Sequence, residues 1–530
     1  MIAPLPTDRP ALLARLAEAR RWDIAIVGGG ATGLGVALDA AQRGHSVVLI
    51  EAHDFAKGTS SRATKLVHGG VRYLAQGNIH LVREALHERT HILRSAPHLA
   101  QPLPFVMPSY KRWETPFYGT GLKLYDALAG QAGLGRTEWL GADETLRLLP
   151  GAQPQGLKGG VKYWDGQFDD ARLALAIART AAAHGALLVN YCAAVEVLHD
   201  AGRAVGLLAR DAESGREFRL QAGCIVNATG VWVDALRQSD ARAAGQAVAP
   251  LVAPSQGVHL VVDQSFSPGG HALLVPSTAD GRVLFAVPWL GKLILGTTDT
   301  PRPDLPLEPQ ASDSEVDFIL REAASHLRQA PTRADILSSW AGLRPLVRPG
   351  GAGGDTKAIS REHTVLVARS GLVSVTGGKW TTYRAMAEDV LARCTQAGVL
   401  LPRGASHTAG LPLVGAPAPG SPLIGLNQPP GLHLYGAEAD AVRQLPGEDR
   451  WLAPGLSEAM VRFAARHEYA RTVEDVLARR SRLLFLDAGA ALRAAPAVAA
   501  VLQDERLAGT GLRAFEALAA DYGARRTDTA

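Results

Sequence analysis

The chain has 530 residues, 47% of them hydrophobic and 20% charged, a balance that excludes disordered, collagenous and coiled-coil classes. Its 55 basic and 51 acidic residues give a net charge of +4, too slight on so large a body to point to nucleic acid. The three scattered cysteines, Cys192, Cys224 and Cys394, form neither a disulfide framework nor a CxxC metal or redox motif, so no metal is expected and a reducing cytoplasm fits. No apolar run approaches the roughly 18 residues of a membrane span, and the N-terminal segment lacks the apolar stretch of a signal peptide.

In chain order, residues 11–21 (ALLARLAEARR) repeat Leu and Ala at helical spacing and predict a short amphipathic helix. An apolar strand (WDIAIV), a Gly-rich turn opening into an Ala-rich helix that Gly44 ends, and a second apolar strand (HSVVLIE) complete a βαβ unit. Gly28, Gly30 and Gly33 in that turn spell GxGxxG, and Glu51 stands 18 residues after Gly33 at the end of the second strand. Such glycines let a pyrophosphate approach a helix N-terminus, and such an acid accepts ribose hydroxyls and repels a 2′-phosphate.

A further strand and turn, CIVNATG, ends at Ala228-Thr229-Gly230, and another, LVSVTGG, ends at Gly377-Gly378 before the helical pattern TTYRAMAEDVLARC. Both suit the second nucleotide contact and the flavin-facing helix of a flavoprotein, so the cofactor expected is FAD rather than NAD. Between them GVHLVVD, RVLFAVPW and LILGTTD alternate as strands of a mostly antiparallel sheet. The Pro- and Gly-rich stretch from Leu400 to Gly431 reads as a linker, and residues 457–523 carry helical periodicity. The expected fold is α/β: a Rossmann-like FAD-binding domain with an inserted, mainly antiparallel substrate domain, then an all-helical C-terminal domain. Residues 1–399 form the first unit, with FAD parts near 20–80, 160–240 and 340–399, and 400–530 form the linker and helical cap.

In GTSSRATKLVHGGVRYL, from Gly58 to Leu74, the side chains of Ser60, Ser61 and Thr64 can hydrogen-bond phosphate or flavin edges, and Lys65, His68 and Arg72 bring further donors. The cofactor set thus comprises Gly28, Gly30, Gly33, Glu51, Ser60, Ser61, Thr64, Lys65, His68, Ala228, Gly230, Gly378, Lys379 and Thr381.

The run IVGGGATGLGVALDAAQRGHSVVLIEAHDFAKGTSSRATKLVHGGVRYL resembles that of FAD-dependent glycerol-3-phosphate dehydrogenases. The resemblance continues through QFDDARLALA, VNATGVWVD, GTTDT, AGLRPLVRP, AISREH and GGKWTTYRAMAED into RTVEDVLARRSRLLFLD. It implies a three-carbon polyol phosphate as substrate, sn-glycerol 3-phosphate, held by clustered cations that fall here on Arg72, Arg344, Arg361 and Lys379, with Tyr73 beside Arg72 available for a hydrogen bond or for packing. Thr298 and Asp299, in GTTDT, either shape the pocket and hold an Arg or cap a turn.

The catalytic pair expected is His259 as base and Arg344 as anion clamp, although Gln256 and Val258 stand where the family has a basic residue and Ser. The family generally passes electrons to a membrane quinone. The expectation is therefore a cytoplasmic protein lying peripherally on the inner face of the cell membrane, touching anionic lipid through Ala11–Arg21 or the Arg-rich helix Arg471–Leu486. An oxidase using oxygen, or an amine or amino-acid oxidase of the same fold, is the rival reading. The sequence leaves monomer and homodimer open.

Overall fold

The computed structural model describes residues 5, 7–70, 78–278, 281–348, 363–507 and 509–523. Strand Arg21–Val27 is apolar along most of its length because it lies inside a parallel sheet with both faces covered. It pairs with Val47–Ile50 on one side and Glu217–Asn227 on the other. The sheet continues to Leu187–Val189 beyond the first, and to Val373–Gly377 and the antiparallel His363–Val367 beyond the second. Register sets Val27 level with Ile50 and Asn227, Ile50 with Val189, and Asn227 with Ser374. The carboxyl ends of these parallel strands therefore finish along one edge, where a ligand crevice forms at the strand whose neighbours lead in opposite directions. Helix Ala31–Gln42 covers the sheet with Leu34, Val36, Ala37 and Leu38 buried, flanked by helices Asp170–Ala183 and Tyr383–Gln396.

The N-terminal helix runs Arg9–Leu16 rather than over 11–21. Asp8 caps it by accepting from the Ala11 N–H at 3.0 Å, which draws its start forward, and Arg21 already belongs to the first strand.

In the second sheet, strand Val252–Asp263 pairs antiparallel with Lys292–Gly296 and Ser338–Val347. Leu284–Trp289 and Ala272–Val275 extend it antiparallel, and Ala100–Ser109 joins in parallel before pairing with Gly159–Phe168. Strand alternation gives Val258, Leu260 and Val262 to a core shared with helix Asp313–His326, and leaves Val261 on the opposite face in the main core.

Residues 400–430, expected as a linker, have no regular secondary structure but run as a fixed strap. Leu413 and Leu426 are buried, the Leu413 N–H donates to the Ser95 carbonyl at 2.9 Å, and the Leu290 N–H donates to the Leu426 carbonyl at 2.7 Å. Frequent proline denies this stretch a helix without preventing it from packing. The C-terminal part is mostly helical, with Glu458–His467, Ala488–Asp504 and Leu512–Gly523, and adds a small ribbon, Trp451–Ala453 with Leu456–Ser457. Its Phe463, Phe485, Phe515 and Tyr522 lie in the same apolar body as Ile24, Leu49 and Trp289.

The stretch Arg471–Leu486 is not a surface helix. A wide π-type turn at Asp475–Arg480 and a left-handed residue, Arg482 at φ +64°, break it, and Arg479, Arg480 and Arg482 are buried. Arg479 and Arg480 both grip Asp54, which lies just beyond Glu51. Arg479 also pairs with Glu474 at 2.6 Å and Asp475 at 2.7 Å, and the Lys57 ammonium bridges Glu474 and Glu308. Arg482 donates to the Ser61 carbonyl at 2.8 Å and to Asp170 at 3.1 Å. Among the described residues no helix is long and apolar enough to cross a membrane.

Burial alone would raise the Asp54 carboxyl, but the charges of Arg480 and Arg479 outweigh it and hold it below its ordinary value; for Glu474, Arg479 and Lys57 likewise overcome burial and lower it to about 2. Both carboxyls are depressed in the folded state, so their stabilisation is complete above the ordinary carboxylate range and is lost as pH falls toward about 2. Asp54→Ala, which takes from buried Arg480 its carboxylate partner and from Arg479 one of three, is expected to destabilise the protein by about 3–5 kcal/mol. Thermal unfolding near neutral pH checks this, and the gap between variant and parent should narrow in acid.

Candidate active site

At the strand edge, Gly28 has φ +112°, and a Cβ there would stand 2.6 Å from the Ala228 carbonyl oxygen. Only glycine allows this close crossing of the first and third strand ends. A Cβ at Gly33 would strike the Gly28 carbonyl, whereas one at Gly30 would meet only the Ser60 Oγ, at 3.1 Å. Gly28 and Gly33 thus serve backbone packing, and Gly30 leaves the approach to the helix open. That helix starts at Ala31 with no side-chain cap from Gly30, and its Ala31 N–H donates to the Ser60 Oγ at 2.9 Å.

Glu51 accepts from the Gly29 N–H at 2.6 Å and from the His53 N–H at 2.8 Å. Each carboxylate oxygen keeps a second acceptor direction for a ribose hydroxyl. Burial is the main cause that raises the Glu51 carboxyl above its ordinary value, and the two N–H donors oppose it. A dinucleotide fits these residues: a helix start whose N-cap glycine carries no side chain, the open approach at Gly30 and an acid oriented by backbone donors.

The segment Gly58–Gly70 joins the cradle to everything else. Thr59 donates to the Leu343 carbonyl at 2.6 Å, Trp380 Nε1 donates to the Ser60 carbonyl at 2.9 Å, and the His68 N–H donates to Thr381 Oγ1 at 3.3 Å. Thr376 ties the third and outer strands by donating to the Gly230 carbonyl at 3.0 Å. Gly378, at φ +73°, turns the chain into Lys379 and the Trp380–Thr382 turn that opens helix Tyr383–Gln396. Cofactor-set residues from four distant stretches therefore converge on one edge.

The second sheet forms the adjoining wall. Arg344 donates to Asp299 at 3.0 Å, to Thr297 Oγ1 at 3.1 Å and to the Thr298 carbonyl at 3.1 Å, with its side chain 22% exposed. Asp299 thus holds an Arg. Gly257 faces the Arg344 guanidinium, and any Cβ there would collide with it. His259 shares this face of the strand: its Nε2 lies 3.0 Å from Thr64 Oγ1, and its ring stacks on Trp340 at 5.2 Å. The ring is 2% exposed, and its Nδ1 has no hydrogen-bond partner among the described residues. Burial, then the charges of Lys65 and Arg344, push the imidazole well below its ordinary 6.5, so it is neutral at physiological pH.

Gln256 and Val258, the two departures from the family run, point the other way. Gln256 donates to Glu315 at 2.8 Å, and Val258 is in the core of helix Asp313–His326, so neither position borders Arg344 and His259.

Lys65, expected to donate to the cofactor, is turned inward and fully enclosed. Its ammonium donates to the Ser61 carbonyl and to Asp170, each at 2.8 Å, below the rings of Trp289, Trp340 and Phe485. Burial pulls it down to about 7, Arg482 adds to the fall and Asp170 opposes it. It supports the Ser61 backbone from behind. Arg72, Tyr73 and Arg361 lie outside the described residues. Sequence reasoning missed Asp54, Asp170, Thr297 and Arg482. The adjacent acids Asp169-Asp170 at a helix start and the charges within RRSRLLFL were the available signal, since charge inside an apolar run must be paired.

Residues 23–384 match the model of the FAD dependent oxidoreductase family, and residues 430–507 match the C-terminal domain of alpha-glycerophosphate oxidase. The human mitochondrial glycerol-3-phosphate dehydrogenase is 41% identical, covering 94% of this chain and 72% of its own. A probable mitochondrial glycerol-3-phosphate dehydrogenase of Caenorhabditis elegans is 40% identical, covering 94% and 73%. The crystal structure of the glycerol-3-phosphate dehydrogenase from Bacillus halodurans complexed with FAD aligns with a TM-score of 0.76 at 28% identity, covering 98% of this chain and 99% of that one. Glycine oxidase from Geobacillus kaustophilus, at 22% identity and a TM-score of 0.52 over 77% of this chain and 100% of its own, shares the fold. This chain belongs to the FAD-dependent glycerol-3-phosphate dehydrogenase family.

Proposed function

We propose that the chain oxidises sn-glycerol 3-phosphate to dihydroxyacetone phosphate at this edge and passes the electrons to a membrane quinone from a peripheral position on the inner face of the cell membrane. The observation that carries the substrate reading is Arg344: a partly exposed guanidinium, oriented by Asp299 and two threonines, on the wall beside the Gly58–Gly70 and Gly378–Thr381 segments. A fork fixed in this way suits a phosphate or a developing alkoxide, and Lys379 adds a point charge from the turn opposite. In our reading Arg72, Tyr73 and Arg361 complete the hold on the phosphate.

Bound FAD supplies a two-electron acceptor. The substrate C2–H bond breaks with its electron pair, the C2 hydroxyl gives up its proton, and the C2 carbonyl forms. Neutral His259 accepts a proton at Nε2 from Thr64 Oγ1, and Thr64 Oγ1 takes the C2 hydroxyl proton in its place. The cations hold C2 in register, so catalysis rests on positioning as much as on proton transfer. His68 offers a second reading as direct base. Its residue is only partly buried, and its backbone is pinned to Thr381, whereas the His259 ring is enclosed and its one hydrogen-bond partner among the described residues is Thr64.

Arg344→Ala is expected to lower kcat/KM for glycerol 3-phosphate by about 2–5 kcal/mol of transition-state binding, while FAD content stays normal. Unchanged kcat/KM would move the anion site elsewhere. Anaerobic bleaching of the flavin by glycerol 3-phosphate, and not by amino acids, checks the substrate class.

Because His259 titrates below its ordinary 6.5, a rate that needs it neutral should stay flat as pH falls to 6.5 and drop only further into acid. His259→Asn should lower kcat/KM by roughly 10²–10⁴-fold and abolish that acid limb. The same loss in His68→Asn, with His259→Asn near normal, would assign the base to His68.

For the acceptor, a short-chain quinone should sustain turnover far faster than air. Peroxide formed stoichiometrically at full rate without quinone would identify an oxidase and leave the substrate assignment standing.

A further inference from the structure

Helix Glu114–Ala129 has the wrong residues on its outside. The stripe Trp113, Phe117, Thr120, Leu124 and Ala127 recurs at helical spacing and is exposed throughout, where a water-facing helix carries polar side chains. Phe117 is 66% exposed, Trp113 53%, Leu124 51%, and Trp139, from the neighbouring strand Glu138–Leu140, 50%. These include three of the four exposed Trp and Phe residues among those described, the fourth being Trp451. The patch is ordered by its own contacts. Trp113 and Phe117 lie 5.7 Å apart, Phe117 and Tyr118 5.3 Å, and Trp139 rests over Gly119, where a Cβ would strike its indole.

The rim is basic. The Lys123 ammonium sits 3.6 Å over the Trp139 ring, the Lys111 ammonium 5.9 Å from that of Trp113, and Arg112 and Arg136 are exposed beside them. The local acids are engaged: Glu114 accepts from the Tyr110 and Lys111 N–H groups, Asp126 from the Thr137 N–H, and Glu138 pairs with Lys162. Aromatic and aliphatic side chains ringed by Lys and Arg match the interface of an anionic bilayer, where indole rings settle at headgroup depth and ammonium groups meet phosphate.

The opposite side of the same helix leads to the site. Its inner stripe, Gly119, Leu122, Tyr125 and Ala129, is buried, and the Tyr125 hydroxyl accepts from the Gly69 N–H and donates to Asp165, both at 2.8 Å. One helix thickness, about 10 Å, therefore separates the apolar outer face from the segment that binds the cofactor.

We propose that the outer face of helix Glu114–Ala129, together with Trp139, is the surface by which this chain docks on an anionic lipid bilayer, which places a lipid-borne acceptor beside the Gly58–Gly70 segment. The inference rests on the quinone reading for its purpose and replaces Ala11–Arg21 and Arg471–Leu486 as the contact.

The test uses FAD-loaded protein and sedimentation with vesicles of phosphatidylcholine and phosphatidylglycerol at 3:1, with oxidation of glycerol 3-phosphate by a soluble dye as the control for an intact site. The parent should pellet in a salt-sensitive manner. Trp113→Ser with Phe117→Ser should weaken pelleting by about tenfold or more, as should Lys111→Glu with Lys123→Glu, while Trp451→Ser changes nothing. Dye-linked turnover should be unchanged in all three, and the two lysine substitutions keep the test valid if the aromatic variant misfolds. Undiminished pelleting of the patch variants overturns the proposal, as does a parent that ignores the vesicles, or light scattering showing that the patch instead joins two copies. A parent that pellets through this patch yet cannot reduce vesicle quinone would sink the acceptor reading and leave the docking surface standing. Equal quinone reduction by parent and patch variants would do the reverse.

Discussion

Asp54, buried between the guanidiniums of Arg479 and Arg480, is the contact on which the arrangement of the site depends. A carboxylate in that position is tolerable only if both arginines arrive, and they come from the C-terminal part more than 400 residues further along the chain. Asp54 follows Glu51 closely, so the turn that presents Glu51, the proposed ribose acceptor, is also the turn that the C-terminal part grips. Arg482 repeats the device at the Ser61 carbonyl, which also receives the Lys65 ammonium. Detaching the C-terminal helices would uncover the carboxylates of Asp54 and Asp170 together with Phe485 and Tyr522 from the common core. The helical part therefore belongs to the architecture of the cofactor site and is not an appended module.

Lys65, from that buried set, also bears on the wall that carries Arg344 and His259. Burial first, and then the charges of Lys65 and Arg344, keep His259 neutral, while Asp170 pairs with Lys65 and Asp299 with Arg344. A neutral imidazole can accept a proton at the moment a dianionic substrate adds negative charge to the region. An imidazolium already formed could only hold a substrate oxygen. Strand alternation makes this division of labour possible, since Gly257 and His259 share the Arg344 side while Gln256 and Val258 face helix Asp313–His326.

What the sequence made legible was local. The strand, glycine turn, helix and acid around Gly28 to Glu51 occupy one contiguous stretch whose periodicity changes from two to 3.6, and the ends at Asn227 and Gly377 carry the same pattern of an apolar strand running into glycine. Illegible were partnerships between residues hundreds of positions apart. Arg479, Arg480 and Arg482 read as part of an Arg-rich helix facing anionic lipid because nothing nearby announces Asp54 or Asp170. Lys65 read as a cofactor donor because its neighbours Ser60, Ser61 and Thr64 are polar, while the left-handed bend, at φ +65°, that places it under Trp289 and Trp340 is not visible in the sequence. The prolines between Leu400 and Gly431 excluded helix correctly, yet burial of Leu413 and Leu426 is decided by the surface they lie on.

Helix Glu114–Ala129 shows why a hydrophobic pattern alone does not locate a face. Its sequence carries two apolar stripes, and periodicity cannot say which of them turns inward. The inner one is identified by Tyr125, whose hydroxyl needs both the Gly69 N–H and Asp165 and so anchors that side to the body. Gly69 stands near one end of the Gly58–Gly70 segment, and Thr59, bonded to the Leu343 carbonyl next to Arg344, stands near the other. The stretch that contacts the substrate wall at its start thus contacts the outward-facing helix at its end. Under the proposed quinone reading, substrate and electron acceptor are then served by a single segment without sharing an entrance, as a soluble substrate and a lipid-dissolved acceptor would require.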